Sequence, residues 1–241
     1  MALASRARPR PPLGAISTKG FVISRFGELY DYEELRSLKE PTAILAHVDK
    51  RTLVLGSSQP DEIFRDDVED NFVVRRRRGG GGVVLLQPDD VWIDFWIPRG
   101  DPRWQNDVNA MAIAVGSWWR DVLSATIGRR CAIMTSLDRS NEDLLVACFA
   151  VLGPGELTLD QRKVVGITQW RVREGAFVST LLPARSTEVL VLALRAAPAH
   201  LVDALAHHNI FSLGITDSSV LLRDLLALSG PWSERSVIIS R

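Results

Sequence analysis

The sequence predicts an α+β fold, helices packed on mixed or antiparallel sheets, and not a doubly wound parallel one. Short runs of β-branched and aromatic residues cluster between positions 43 and 97 and again between 144 and 182. A long stretch at helical spacing, 104–126, separates the clusters, and the C-terminal third reads as two amphipathic helices, 198–208 and 217–229. Strands in clusters followed by helices, without regular alternation, favour this class. No internal repeat is visible.

Bulk properties narrow the field. The 241 residues suffice for one substantial domain, 46% are apolar, and Lys+Arg equals Asp+Glu at 29 each. No net field therefore draws the chain to nucleic acid or a membrane. The sequence contains no apolar stretch of the roughly 18 residues a membrane helix needs, and no apolar segment follows the basic start, so a soluble cytoplasmic protein is expected. Two cysteines, Cys131 and Cys148, are too few for a disulfide framework. His47, His200, His207 and His208 show no metal-ligand spacing, and the 207–208 pair reads as the exposed end of a helix.

In chain order, residues 1–15 set Arg6, Arg8 and Arg10 among prolines without hydrophobic period and are expected to be a flexible arm. Residues 43–48 and 52–55 read as strands across a turn at Asp49 and Lys50. Gly56 to Pro60 breaks the pattern, Asp61 and Glu62 suit the start of a helix over 61–69, and 71–74 forms a strand. Strands follow at 83–86 and 91–97. In the latter, Trp92, Asp94 and Trp96 share one face, and Val91, Ile93, Phe95 and Ile97 share the core face. Val108, Met111, Ala112, Val115, Trp119, Val122 and Leu123 make 104–126 a packing helix. The apolar run 144–150 reads as a strand, 156–159 and 163–167 as a hairpin turning at Asp160 and Gln161, and 176–182 as a further strand. Leu221, Leu222, Leu225 and Leu228 mark the apolar face of the last helix.

One stretch resists a purely structural explanation. Arg75 to Arg78 repel one another, and Gly79 to Gly82 have the largest backbone entropy to lose. Glycines let backbone N–H groups converge on a ligand and arginine forks match anionic oxygens, so an anionic ligand is one reading. A solvated basic loop or an RNA-contacting tract is the other. Flanking strands argue against a disordered tail, and neutral net charge without an array of aromatic stacking platforms ranks nucleic acid last. Ser58 and Gln59 form a candidate neighbour of the glycine loop.

Three segments then carry a resemblance to the biotin and lipoate protein ligase/transferase superfamily, in its lipoate ligase and octanoyltransferase branch. They are LGSSQ at 55–59, VRRRRGGGGVVLL at 74–86, and CFAVLGPGELTLDQRKVVGITQ at 148–169, similar to the family's GxxQ turn, RRxSGGGAVxH loop and CFxxxxxxELxxxGRKxxGxAQ block. The resemblance implies one catalytic domain over 16–241. It implies transfer of a lipoyl or octanoyl group to a lysine of a lipoyl-acceptor domain or a glycine cleavage H-type protein, with acyl carrier protein as a possible donor. Lys163 matches the family's active-site lysine and Cys148 a nucleophilic cysteine of the octanoyltransferase branch. Arg77, Gly80, Gly81, Gly82, Val83, Val84 and Leu85, with Gln59 and Gly166, fall where the family holds its acyl substrate. ATP and magnesium enter only if the chain is a ligase working through acyl-AMP; a binding homologue without turnover is the remaining alternative.

The chemistry suits these residues independently. Attack on an acyl carbonyl develops an oxyanion that needs fixed positive charge, which Lys163 supplies, and a nearby ammonium favours a thiolate nucleophile. The competing structural readings are a buried inert thiol for Cys148 and a solvated hairpin residue for Lys163. Three positions depart from the family pattern: Gly79 replaces the loop serine, Leu86 the loop histidine, and Val178-Ser179 a His-Gly pair.

Overall fold

The computed structural model describes residues 27–138 and 140–239, so the predicted arm over 1–15 lies outside the described residues. Its elements are β1 (Gly27–Glu28), α1 (Tyr32–Ser37), β2 (Thr42–His47), β3 (Thr52–Leu55), β4 (Val73–Arg76), β5 (Val84–Leu86), β6 (Val91–Pro98) and α2 (Val108–Ile127). They continue with β7 (Ala132–Ile133), β8 (Leu157–Leu159), β9 (Arg162–Arg171), β10 (Gly175–Leu182), α3 (Leu201–Ala204), α4 (Ser218–Ser229) and β11 (Ser233–Ile238). Seven strands form the larger sheet in the order β11-β2-β6-β10-β9-β8-β7, and four form the smaller one, β1-β4-β3-β5. In the larger sheet only β11 and β2 run parallel; the smaller is mixed. The fold is therefore α+β, as the strand clustering predicts. No helix among the described residues is long and apolar enough to cross a membrane.

The larger sheet is covered on both faces. Ile93, Phe95 and Val178 pack against Met111, Val115, Trp119 and Leu123 of α2 and Leu221 and Leu225 of α4. On the other face Trp92 and Leu181 meet Leu53, Leu55, Val74 and Leu85 of the smaller sheet. The second row of β6 is interior too: Trp92, Asp94 and Trp96 are all buried, because the smaller sheet, Tyr30 and Tyr32 lie over them. In α4, Leu228 is 52% exposed and Leu226 takes its place at the packing face.

Several predicted elements differ, each for a local reason. α2 begins at 108 because the Asp107 carboxylate accepts the Ala110 N–H at 2.7 Å, which caps the helix there and leaves Val108 exposed. The helix expected over 61–69 is two 3-10 turns, Asp61–Ile63 and Val68–Asp70, because Phe64 between them bridges Leu194 in extended form. The run 144–150 is not a strand but two 3-10 turns, Glu142–Val146 and Cys148–Ala150. Its N–H groups close locally, Ala147 to Leu144 and Ala150 to Ala147, with a single parallel bridge from Ala147 to Val83. A short apolar run does not distinguish the two by periodicity. Of the helix expected over 198–208 only Leu201–Ala204 forms; the chain then turns so that the His208 N–H donates to the Lys163 carbonyl at 2.8 Å. His207 is consequently no exposed helix end: its ring packs on Phe149 with centroids 5.0 Å apart.

The hairpin forms as predicted, with Asp160 and Gln161 both at positive φ (49° and 62°), which matches the twist of the flanking strands. α2 also presses on the loop before β8. A Cβ at Gly116 would lie 2.0 Å from the Gly155 carbonyl oxygen, so only glycine permits the contact that fixes where Glu156 starts.

Candidate active site

A cavity of about 40 Å³ lies between the two sheets. Val54 and Val84 from the smaller sheet, Trp92 and Leu181 from the larger, and Leu86 supply its apolar walls; Cys148 and Gly166 also reach it. Chain register explains the choice. Gly166, Leu181 and Trp92 are direct neighbours across β9, β10 and β6, and Thr168, Ser179 and Asp94 form the next row on the same face.

Cys148 is positioned from two sides. Its N–H donates to the Val83 carbonyl at 2.8 Å, and its own carbonyl accepts from Lys163 Nζ at 2.6 Å. Cys148 Sγ lies 4.0 Å from that ammonium. Lys163 also donates to the Val151 carbonyl at 3.0 Å and pairs with Glu156 Oε2 at 2.7 Å. The Glu156 carboxylate in turn accepts from the N–H groups of Gly153 (2.8 Å) and Ile167 (3.1 Å). Burial pushes the Glu156 carboxyl up and the adjacent Lys163 charge opposes that shift. Glu156 escapes a reading of single residues; its signal is an acidic residue at the head of an apolar strand, seven positions before the lysine.

The arginine run is folded inward. Arg75 and Arg76 belong to β4. Arg75 donates to the Val74 carbonyl, and Arg76 to those of Gly56 (2.9 Å) and Gln59 (2.7 Å) while pairing with Asp61. Arg77, only 5% exposed, directs its guanidinium at the carbonyls of Val54 (3.0 Å), Gly80 (2.8 Å) and Gly82 (2.8 Å), so it holds the glycine arch from inside. Burial lowers its pKa. Arg78 pairs with Glu28 and Glu33 and stacks on Tyr32, 4.9 Å from the ring centroid. Gln59 lies beside the arch, accepting the Gly56 N–H and donating to the Val146 carbonyl, each at 3.0 Å. A Cβ at Gly82 would sit 2.5 Å from the Leu145 carbonyl oxygen, so the arch and the cysteine-bearing turns touch backbone to backbone.

Of the residues singled out from sequence, Arg77, Val84, Gly166 and Cys148 meet at the cavity, with Lys163 directly behind the cysteine. Val83 and Leu85 are turned into the core, and Gly80 to Gly82 with Gln59 shape the loop without lining the cavity. Residues 28–209 match the lipoyl protein ligase A/B catalytic domain family. The chain belongs to that family.

The solved structures agree on the fold of this LplA/B-type catalytic domain. The Thermoplasma acidophilum putative lipoate protein ligase with bound lipoic acid superposes with a TM-score of 0.63 at 15% identity, covering 87% of this chain and 82% of its own. A lipoate-protein ligase A bound with ATP gives 0.67 at 14%, with the same coverages. A bipartite lipoate protein ligase described with its E2 lipoyl domain, also from Thermoplasma acidophilum, gives 0.61 at 14%, covering 87% and 80%. No curated protein matches the sequence.

One further cluster belongs to the catalytic domain's cavity and was not read from sequence. Asp94, fully buried beneath the wall, accepts Trp92 Nε1–H at 2.7 Å and Ser179 Oγ–H at 2.6 Å on Oδ1, and the Tyr30 hydroxyl at 2.6 Å on Oδ2. Burial raises its pKa to about 7, with the bonds from Ser179, Tyr30 and Trp92 holding it back. The available signal was an aspartate inside VWIDFWI.

Proposed function

We propose that this chain transfers a lipoyl or octanoyl group from a thioester donor to a lysine of a lipoyl-acceptor domain, through an acyl thioester on Cys148. The carrying observation is Cys148 Sγ at the cavity, 4.0 Å from Lys163 Nζ. In the first step the Cys148 thiolate attacks the donor carbonyl, and the donor sulfur leaves as a thiolate. In the second the acceptor amine attacks the Cys148 thioester, an amide forms, the amine proton leaves to solvent and the Cys148 thiolate is regenerated. Lys163 places positive charge beside the sulfur and the developing oxyanion. Arg77 and the glycine arch shape the acyl site. The acceptor domain follows from the family's character; an acyl carrier protein or a second lipoyl protein is the donor class.

A ligase forming acyl-AMP is the second reading, favoured by the ATP-bound relative. The residues here give it little support. A triphosphate needs cations turned towards it, whereas each guanidinium from Arg75 to Arg78 has partners within the protein and the Lys163 ammonium is bound by Glu156 and two carbonyls.

Intact mass after mixing the protein with octanoyl- or lipoyl-carrier protein tests the proposal, beside Cys148→Ala. An acyl adduct on the parent alone, removed by neutral hydroxylamine, is the expected result. Loss of the adduct from both, with AMP released from ATP and lipoate by both, would establish the ligase instead. Silence in every arm would leave a binding homologue.

A further inference from the structure

Resting on the acyl-transfer reading, the geometry points to an acyl chain bearing thiols, dihydrolipoyl in place of octanoyl, as the group this cavity is built for, with Ser179 as the residue that recognises it. The polar hydrogens of the wall are largely directed away from the cavity. Thr168 donates its hydroxyl proton to the Gly80 carbonyl at 2.9 Å and Thr180 to the Ile93 carbonyl at 2.6 Å. Trp92 and Ser179 both donate to Asp94 Oδ1, and Arg77 to three loop carbonyls. Apart from one N–H of Arg77, which has five and makes four bonds, these donors are spent on other partners, so what the rest of the polar wall retains for an occupant is acceptor capacity.

Ser179 is the position where that capacity is built most deliberately. Asp94 takes its proton over a short bond while lying wholly behind the wall, and Tyr30, 64 positions away in sequence, secures the other carboxylate oxygen. With Asp94 ionised, above about pH 7, the Ser179 hydroxyl turns its proton inward and leaves its lone pairs to the cavity that it lines. An octanoyl chain has no donor to offer it. An oxidised dithiolane has only weak acceptors, whereas the dithiol form carries two S–H donors. A thiol is a weak donor, so one such bond lies at the low end for a neutral hydrogen bond, roughly a twofold to threefold preference.

Calorimetric titration of octanoate, lipoate and dihydrolipoate in anaerobic buffer tests this, on a Cys148→Ala background that removes thiol–disulfide exchange. Dihydrolipoate should bind roughly twofold to threefold tighter than octanoate. Ser179→Ala should weaken dihydrolipoate alone, and Ser179→Thr should restore it by returning the hydroxyl. Equal binding of dihydrolipoate and octanoate, or an equal loss for all three acids in Ser179→Ala, would overturn the inference, the second because it marks a merely structural residue. Failure of all three acids to bind the parent would overturn the acyl-site reading itself.

Discussion

Lys163 and Glu156 face each other at 2.7 Å with 3% and 5% of their side chains exposed. An ammonium has three protons, and here they go to Glu156, the Cys148 carbonyl and the Val151 carbonyl. The lysine therefore ties the cysteine turn to the hairpin as well as placing charge beside the thiol. Removing its counter-charge should be costly. Glu156→Gln is expected to destabilise the protein by about 3–5 kcal/mol, because it strands a buried cation. Glu156→Gln/Lys163→Met should lose clearly less than the sum of the single changes, read by urea denaturation.

The two cysteines should differ sharply towards an alkylating agent. Cys131 is 1% exposed and burial pushes its thiol up, whereas Cys148 reaches the cavity. Iodoacetamide followed by peptide mapping should label Cys148 by at least about tenfold over Cys131. Bound octanoate or lipoate should protect it.

Asp94 gives a pH signature. Its folded pKa of about 7 lies above the ordinary value of 3.8, so between those values the folded state binds the proton and the unfolded state does not. Stability from this group is present below about pH 4 and is lost as pH rises through about 7. Asp94→Asn keeps the shape and removes the titration. Relative to the parent, the variant should gain on the order of 4 kcal/mol between pH 4 and pH 8, measured by denaturation at both.

Two neighbouring glycines should respond oppositely to one methyl group. At Gly80 a Cβ meets nothing within 4 Å, while at Gly82 it meets the Leu145 carbonyl oxygen at 2.5 Å and the Ala147 nitrogen at 2.7 Å. Gly80→Ala is expected to stay within about 0.5 kcal/mol of the parent, and Gly82→Ala to lose about 2 kcal/mol or more together with acyl-adduct formation. Thermal melts and the intact-mass assay read both.

The hairpin and the strand after the glycines were legible because their turns and apolar runs are local signals, whereas the strand expected over 71–74 lies two residues later and takes in Arg75 and Arg76. Lys163 beside Cys148 was legible as a pairing, though not through two strands: the cysteine sits on a 3-10 turn whose apolar sequence has the same pattern as a strand. α1 was missed although Asp31 caps it by accepting from the N–H groups of Glu33 and Glu34. The partners of the arginines were not legible: they lie on Gly56, Val54, Glu28 and Asp61, and such distant pairings leave no trace in a single chain of letters. Asp94 is hidden for the same reason, since its environment is assembled by Tyr30 and Ser179 from far along the chain.

Cys148 and much of the cavity wall are held by different elements. Cys148 is held by the Val83 carbonyl and, through Lys163 and Glu156, by the β8–β9 hairpin, whereas much of the wall comes from β5, β6 and β10. Changes at Leu86, Trp92 or Ser179 can reshape the cavity without touching the bonds that hold the cysteine turn. A lineage built this way is free to vary the lining while inheriting the placement of the thiol intact.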